Sequence, residues 1–131
     1  MSETIRLEVA AALSAFTPVR MVLGGLGARL EFSVEQLEDL YLATEHLFRA
    51  ALDAEDLVRF GVEMRVADGA LRFAAGPFTS PALREQVKPA APDAACLDLC
   101  RLLHTTCDDV RVDERDGSYH VILIKSQRAP A

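Results

Sequence analysis

Two Asp-Gly dipeptides constrain this chain more than any other feature of it. Asp68-Gly69 and Asp116-Gly117 each stand between stretches in which apolar and polar residues alternate. Before the first, Phe60, Val62, Met64 and Val66 alternate with Gly61, Glu63 and Arg65, and Leu71 to Ala75 resumes the pattern after it. Around the second lie Val110 to Val112 and Tyr119 to Lys125. Asp-Gly suits a type I′ turn, whose twist matches that of two paired strands. Each dipeptide is therefore expected to close an antiparallel hairpin. A further half-buried strand is expected at Thr4 to Val9, where Ile5, Leu7 and Val9 alternate with Arg6 and Glu8.

The helical signals fall between these strands. Thr17-Pro18 reads as an N-cap with proline at the first helical position, opening a helix from about Pro18 to Leu30. Gly24, Gly25 and Gly27 lie inside that helix, and no strand directly precedes them as a phosphate loop requires. Close packing against a neighbouring element explains them better. Ser33 to Leu52 reads as a second helix, with Gln36 completing a capping box. Its core face is Leu37, Leu40, Tyr41, Thr44, Leu47, Phe48 and Ala51. A second stripe on its outer side carries Glu38, Leu42, Glu45 and Arg49. From Gly76 to Ala95 the chain holds Gly76, Pro77, Pro81, Pro89 and Pro92, its loosest stretch, with one short helix at Pro81–Val87. A helix from about Ala94 to Thr105 follows, and Arg128 onward reads as a frayed tail. The order is strand, helix, helix, hairpin, helix, hairpin. It predicts one α+β domain over 1–131, with an ordered core of about 4–126. The architecture is a two-layer sandwich: a mixed, mainly antiparallel sheet with about three helices on one face.

Composition narrows the partners. A chain of 131 residues, half of them hydrophobic, is long enough for one buried core. Its formal net charge of −6 argues against a nucleic-acid surface, which needs clustered Lys and Arg. The N-terminus lacks the pattern of a signal peptide, and no apolar stretch is long enough to span a bilayer. A cytoplasmic protein with reduced thiols is the expectation, without nucleic-acid or membrane partners.

The order of elements, with the residues at 19–52 (VRMVLGGLGARLEFSVEQLEDLYLATEHLFRAAL) and 96–125 (CLDLCRLLHTTCDDVRVDERDGSYHVILIK), resembles the anti-sigma-factor serine kinases of the histidine-kinase-like (GHKL) ATPase superfamily. The resemblance runs from about Ile5 to Lys125. It implies a GHKL-like fold, a nucleotide site and a regulatory protein partner: a sigma factor or an anti-sigma antagonist. That site takes Glu and, four residues later, Asn as base and Mg²⁺ ligand. Glu45 matches the Glu, and Arg49 stands in place of Asn. An Asp-x-Gly-x-Gly motif would lie at Ala74 to Phe78, where Gly76 survives, Ala74 replaces the Asp and Phe78 replaces the second glycine. A Gly-x-Gly at the late helix would lie at Cys96 to Leu99, where both glycines are gone.

These departures share a direction. A guanidinium offers five donors and no acceptor, so Arg49 cannot ligate Mg²⁺. Ala74 cannot accept a hydrogen bond from adenine. Side chains at Cys96 and Asp98 obstruct the close approach that glycine permits, and the carboxylate would repel phosphates. The expectation is a domain with a vestigial pocket around Glu45, Arg49 and Gly76, no cofactor, and regulation by protein binding. An ATP- and Mg-dependent kinase, with Glu45 as its base, is the alternative. A small-ligand domain using the pocket between helix two and the loop from Gly76 to Pro92 is a third.

Other candidates weigh less. Glu45 and Arg49, acid first and four apart, suit a helical ion pair worth about 0.2–0.5 kcal/mol. Cys96, Cys100 and His104 recur every fourth residue, but eight helical residues span about 12 Å, too far for one tetrahedral Zn²⁺. Cys100, His104 and Cys107 remain open as a smaller set, though small core residues explain them better. His46 reads as a solvated helix-surface residue and His120 as a structural strand residue. Tyr119, Val121 and Leu123 alternate with His120, Ile122 and Ile124, so both faces of this strand are apolar. That calls for a central strand under extra cover, or a face buried in an assembly such as a homodimer.

Overall fold

The computed structural model describes residues 3–89 and 98–127. Both Asp-Gly dipeptides close two-residue turns with positive φ at each position: Asp68 at 54° and Gly69 at 74°, Asp116 at 50° and Gly117 at 83°. They join β2 (Arg59–Ala67) to β3 (Ala70–Phe78) and β4 (Asp109–Arg115) to β5 (Ser118–Ser126). The first strand, β1 (Glu3–Ala10), pairs with β2. Every pairing is antiparallel, in the order β1-β2-β3-β5-β4. β5 therefore lies inside the sheet, which gives its two apolar faces their reason: Val121 and Leu123 enter the core, while Ile122 on the opposite face is also buried.

β3 runs three residues further than the sequence indicates. Gly76 and Pro77 read as the start of a loop, yet the strand continues to Phe78, which pairs with Tyr119. Pairing with β2 stops at Gly76, so β2 never needs the N–H that Pro77 lacks. On the β5 side the register shifts between Ala75 and Phe78, which absorbs the irregularity.

Four helices lie among the described residues: α1 (Phe16–Arg29), α2 (Val34–Ala54), α3 (Pro81–Val87) and α4 (Asp98–Thr106). A short 3₁₀ turn, Leu13–Ala15, leads into α1, which begins before the Thr17-Pro18 signal and has no side-chain cap. The reason is tertiary. The ring of Phe16 packs against Phe48 of α2 at 5.6 Å, drawing the preceding turn into the helix. Pro18 then sits in the first turn, where its missing N–H costs nothing. The capping box at α2 forms as expected: Gln36 N donates to Ser33 Oγ at 3.1 Å, and Ser33 N donates to Gln36 Oε1 at 2.8 Å.

The core lies between the helices and one face of the sheet. Leu23, Leu40, Leu47 and Leu103 meet Met64, Phe73, Val121 and Leu123 there. Lys125 also points from β5 to this side. Its ammonium donates to the carbonyl of Thr106 at 2.7 Å and lies 3.5 Å from Asp39, tying the end of α4 to α2 and the sheet.

The helix glycines divide. A methyl at Gly24 would stand 2.6 Å from the Tyr41 hydroxyl, and one at Gly27 2.4 Å from Leu37, so both serve the α1–α2 contact. Gly25 faces open space. Gly25→Ala is expected to stabilise the fold by about 0.5–1 kcal/mol through helix propensity, measured by urea unfolding; the same change at Gly24 or Gly27 should yield no such gain.

Candidate functional site

Glu45 and Arg49 emerge from the outer side of α2, the face opposite the core. Arg49 Nε stands 3.7 Å from Glu45 Oε2, with the two side chains 54% and 34% exposed. At that exposure the pair adds little to stability. Its consequence is chemical. At Arg49, where the resemblance implies an Mg²⁺ ligand, the side chain offers N–H donors only, and they face the Glu45 carboxylate.

Gly76 stands apart from this pair. It lies in β3 on the sheet face turned away from the helices, with φ at +150°. A methyl there would come within 2.9 Å of the Tyr119 carbonyl oxygen and 3.0 Å of His120. Contact with β5 thus explains the glycine without any nucleotide. Ala74 lies on the same face, and Phe78 is fully buried in the core. Of the late-helix segment, Cys96 falls outside the described residues.

Clefts open on both layers. Between α2, α3 and α4 a cleft of about 590 Å³ is walled by His46, Ala50, Asp53, Gln86, Leu99 and Leu102. His46 Nδ1 lies 3.0 Å from the Leu42 carbonyl, turning the other ring nitrogen outward. Ala50 and Asp53 were not singled out in the sequence, although with His46 they recur at helical spacing between the two stripes of α2. The loop from β3 to α3 is fixed beside it. The Glu55 carboxylate accepts from Thr79 N at 2.5 Å and Ser80 N at 2.6 Å, and the Tyr119 hydroxyl donates to the Ser80 carbonyl at 2.5 Å. Burial and the neighbouring Glu55 charge push the Tyr119 phenol up to about 12.

The free face of the sheet holds a shallow trough of about 710 Å³. Gly61, Ala74 and Gly76 form its floor, with Pro77, His120 and Ile122 beside them. Around it the alternation of the strands sets out Arg6, Arg59, Arg65, Arg72, Arg111 and Arg115 against Glu8, Glu63, Asp109 and Asp113. A third cleft of about 760 Å³, with Gln36, Asp39, Asp108 and Lys125 in its lining, separates the start of α2 from the end of α4.

Cys100 and Cys107 are both buried. Cys100 Sγ lies 3.6 Å from His104 Nδ1, and Cys107 Sγ 3.9 Å from Thr106 Oγ1. Among the described residues no group of His, Cys, Asp and Glu is placed to hold a metal ion. Burial pushes the Cys107 thiol up to about 11. A raised folded value means that the proton is held more tightly in the native state. The stabilisation is therefore complete below the ordinary thiol value and is lost as pH rises toward 11. Two outcomes are expected: Cys107 stays inert to a thiol reagent near pH 8 until the chain is unfolded, and melting temperature falls at high pH less steeply in Cys107→Ala than in the wild type.

No family model and no curated protein matches the sequence. Among solved structures the chain is similar to the crystal structure of the RsbU and RsbW domains of Rv1364c from Mycobacterium tuberculosis, with a TM-score of 0.64 and 14% identity over 95% of this chain. It spans 32% of that chain's length. At that identity the likeness is one of fold, and it agrees with the two-layer α+β architecture described above. No described helix is long and apolar enough to cross a membrane.

Proposed function

We propose that this chain is a regulatory protein-binding domain of the anti-sigma type, acting without ATP-dependent phosphotransfer. The observation that carries the reading is the Glu45–Arg49 pair: within a GHKL-like fold, a guanidinium occupies the place of the Mg²⁺ ligand and is held against the would-be base. The partner class, a sigma factor or an anti-sigma antagonist, is what the sequence resemblance implies. Arg49 itself, exposed beside Leu42 and Glu38 on the outer stripe of α2, is positioned to meet a carboxylate of such a partner.

Two measurements test this. A nucleotide present at about 100 times its dissociation constant adds about 2.7 kcal/mol, a rise of roughly 10 °C in melting temperature for a chain of this size. Mg-ATP is expected to produce no rise; a clear one would establish the kinase alternative. Conversely, a partner captured from the source cells by the wild-type chain should be lost with Arg49→Ala, whose fold should melt as the wild type does. Unchanged capture would remove Arg49 from the contact.

A further inference from the structure

The free face of the sheet carries a charge pattern that folding does not require. Its six arginines outnumber its carboxylates by two on a chain whose formal total is −6, so the rest of the molecule sums to −8. The surplus has a focus. Arg65 of β2 and Arg72 of β3 are direct cross-strand neighbours, and like charges so placed are unfavourable. The carboxylate beside them is shared: Glu63 binds Arg6 at 2.8 Å and lies 3.8 Å from Arg72. Arg65 has no ion pair or hydrogen bond among the described residues. Two residues further along β3, and four along β2, the surface drops to the glycine and alanine floor of the trough. A place where local rules are broken without visible compensation is where a binding site is expected.

We propose that this face docks an extended acidic segment of a protein partner. One carboxylate bridges Arg65 and Arg72, and the residues that follow lie over Gly61, Ala74 and Gly76. Charge selects this occupant. A second copy of the chain would bring the same positive surplus to the same face, and the interspersed Glu8, Glu63, Asp109 and Asp113 would repel a continuous phosphate backbone. The inference rests on the protein-binding reading above but concerns a different surface from Arg49.

The test is fluorescence anisotropy on the full chain with a short labelled peptide of alternating Glu and Ala. A Lys-Ala peptide and a single-stranded oligonucleotide serve as controls. The acidic peptide should bind and the basic one should not. The double variant Arg65→Gln, Arg72→Gln should weaken binding at least about tenfold, with the loss growing at low salt where exposed charges are least screened. Arg111→Gln, whose guanidinium is already held by Asp109 at 2.7 Å, should bind as the wild type does. Thermal melts of the double variant should match or exceed the wild type, because a repulsion is removed; should it unfold, Arg65→Gln alone carries the test. Absent binding, binding indifferent to both arginines, or tighter binding of the oligonucleotide overturns the proposal. So does a dimer, seen by sedimentation, that the same substitutions dissociate. If these tests fail while a native partner is still captured and is indifferent to Arg65 and Arg72, the surface is wrong and the protein-binding role stands.

Discussion

Phe78→Ala should cost about 3–5 kcal/mol, the range for truncating a buried phenylalanine, and so take a large share of the 5–15 kcal/mol that holds a domain of this kind together. Phe78 is fully buried. Its ring lies 5.5 Å from Phe60 and 6.1 Å from Tyr119, and the line continues from Phe60 to Phe48 at 5.1 Å and to Phe16 at 5.6 Å. That row of five rings joins α1 and α2 to β2, β3 and β5. Removing Phe78 from it leaves a cavity bordered by elements too rigidly paired to collapse into it. Phe78→Leu, which refills most of the volume, should recover more than half of the loss. The substitution also bears on function. In the resembled family this position is a glycine beside the nucleotide, whereas here the same position is filled by core. Restoring the smaller residue is thus expected to unfold the domain before it restores any pocket. Chemical denaturation of both variants provides the check; a loss under about 1 kcal/mol for Phe78→Ala would mean that the ring row contributes nothing.

What could be read from the sequence follows from how local its cause is. The capping box, the core stripe of α2 and both Asp-Gly turns depend on residues within a few positions of each other, and all stand as expected. The start of α1 depends on Phe16 meeting Phe48, more than thirty residues away, so Thr17-Pro18 drew the boundary too late. The length of β3 depends on Phe78 pairing with Tyr119, and no local pattern overrides the turn signal of Gly-Pro. The site divides in the same way. Glu45 and Arg49 are one helical turn apart and are paired as expected. The position of Gly76 relative to them depends on which face of β3 it occupies, and the period-two alternation could have shown that only once the strand was known to reach Phe78. The pairing of Arg65 with Arg72 was in principle readable, because a two-residue turn at Asp68-Gly69 fixes the register on either side of it. The surplus charge of the whole face was not, since it requires the order of all five strands.

Gly76→Ala should cost about 2–4 kcal/mol and leave ligand behaviour aside. Two costs combine. At φ +150° an L residue is strained, by about 1–3 kcal/mol. The new methyl would also stand 2.9 Å from the Tyr119 carbonyl oxygen, a backbone atom held in the β3–β5 ladder, and 3.0 Å from the His120 ring. A side chain can turn aside; the carbonyl cannot move without opening the pairing of Phe78 with Tyr119, which positions the ring row and the Tyr119 hydroxyl on Ser80. The two explanations of this glycine therefore separate by what responds. If Gly76 is kept for its contact with β5, the variant loses stability in plain buffer, and His120→Ala in the same chain recovers only part of the loss, because the carbonyl clash persists. If it were also kept for the approach of a phosphate, Mg-ATP would in addition shift the melting temperature of the wild type alone. The geometry of Tyr119 and His120 around Gly76 favours the first outcome, and with it the view that the glycine shared with the resembled motif is kept here by the sheet.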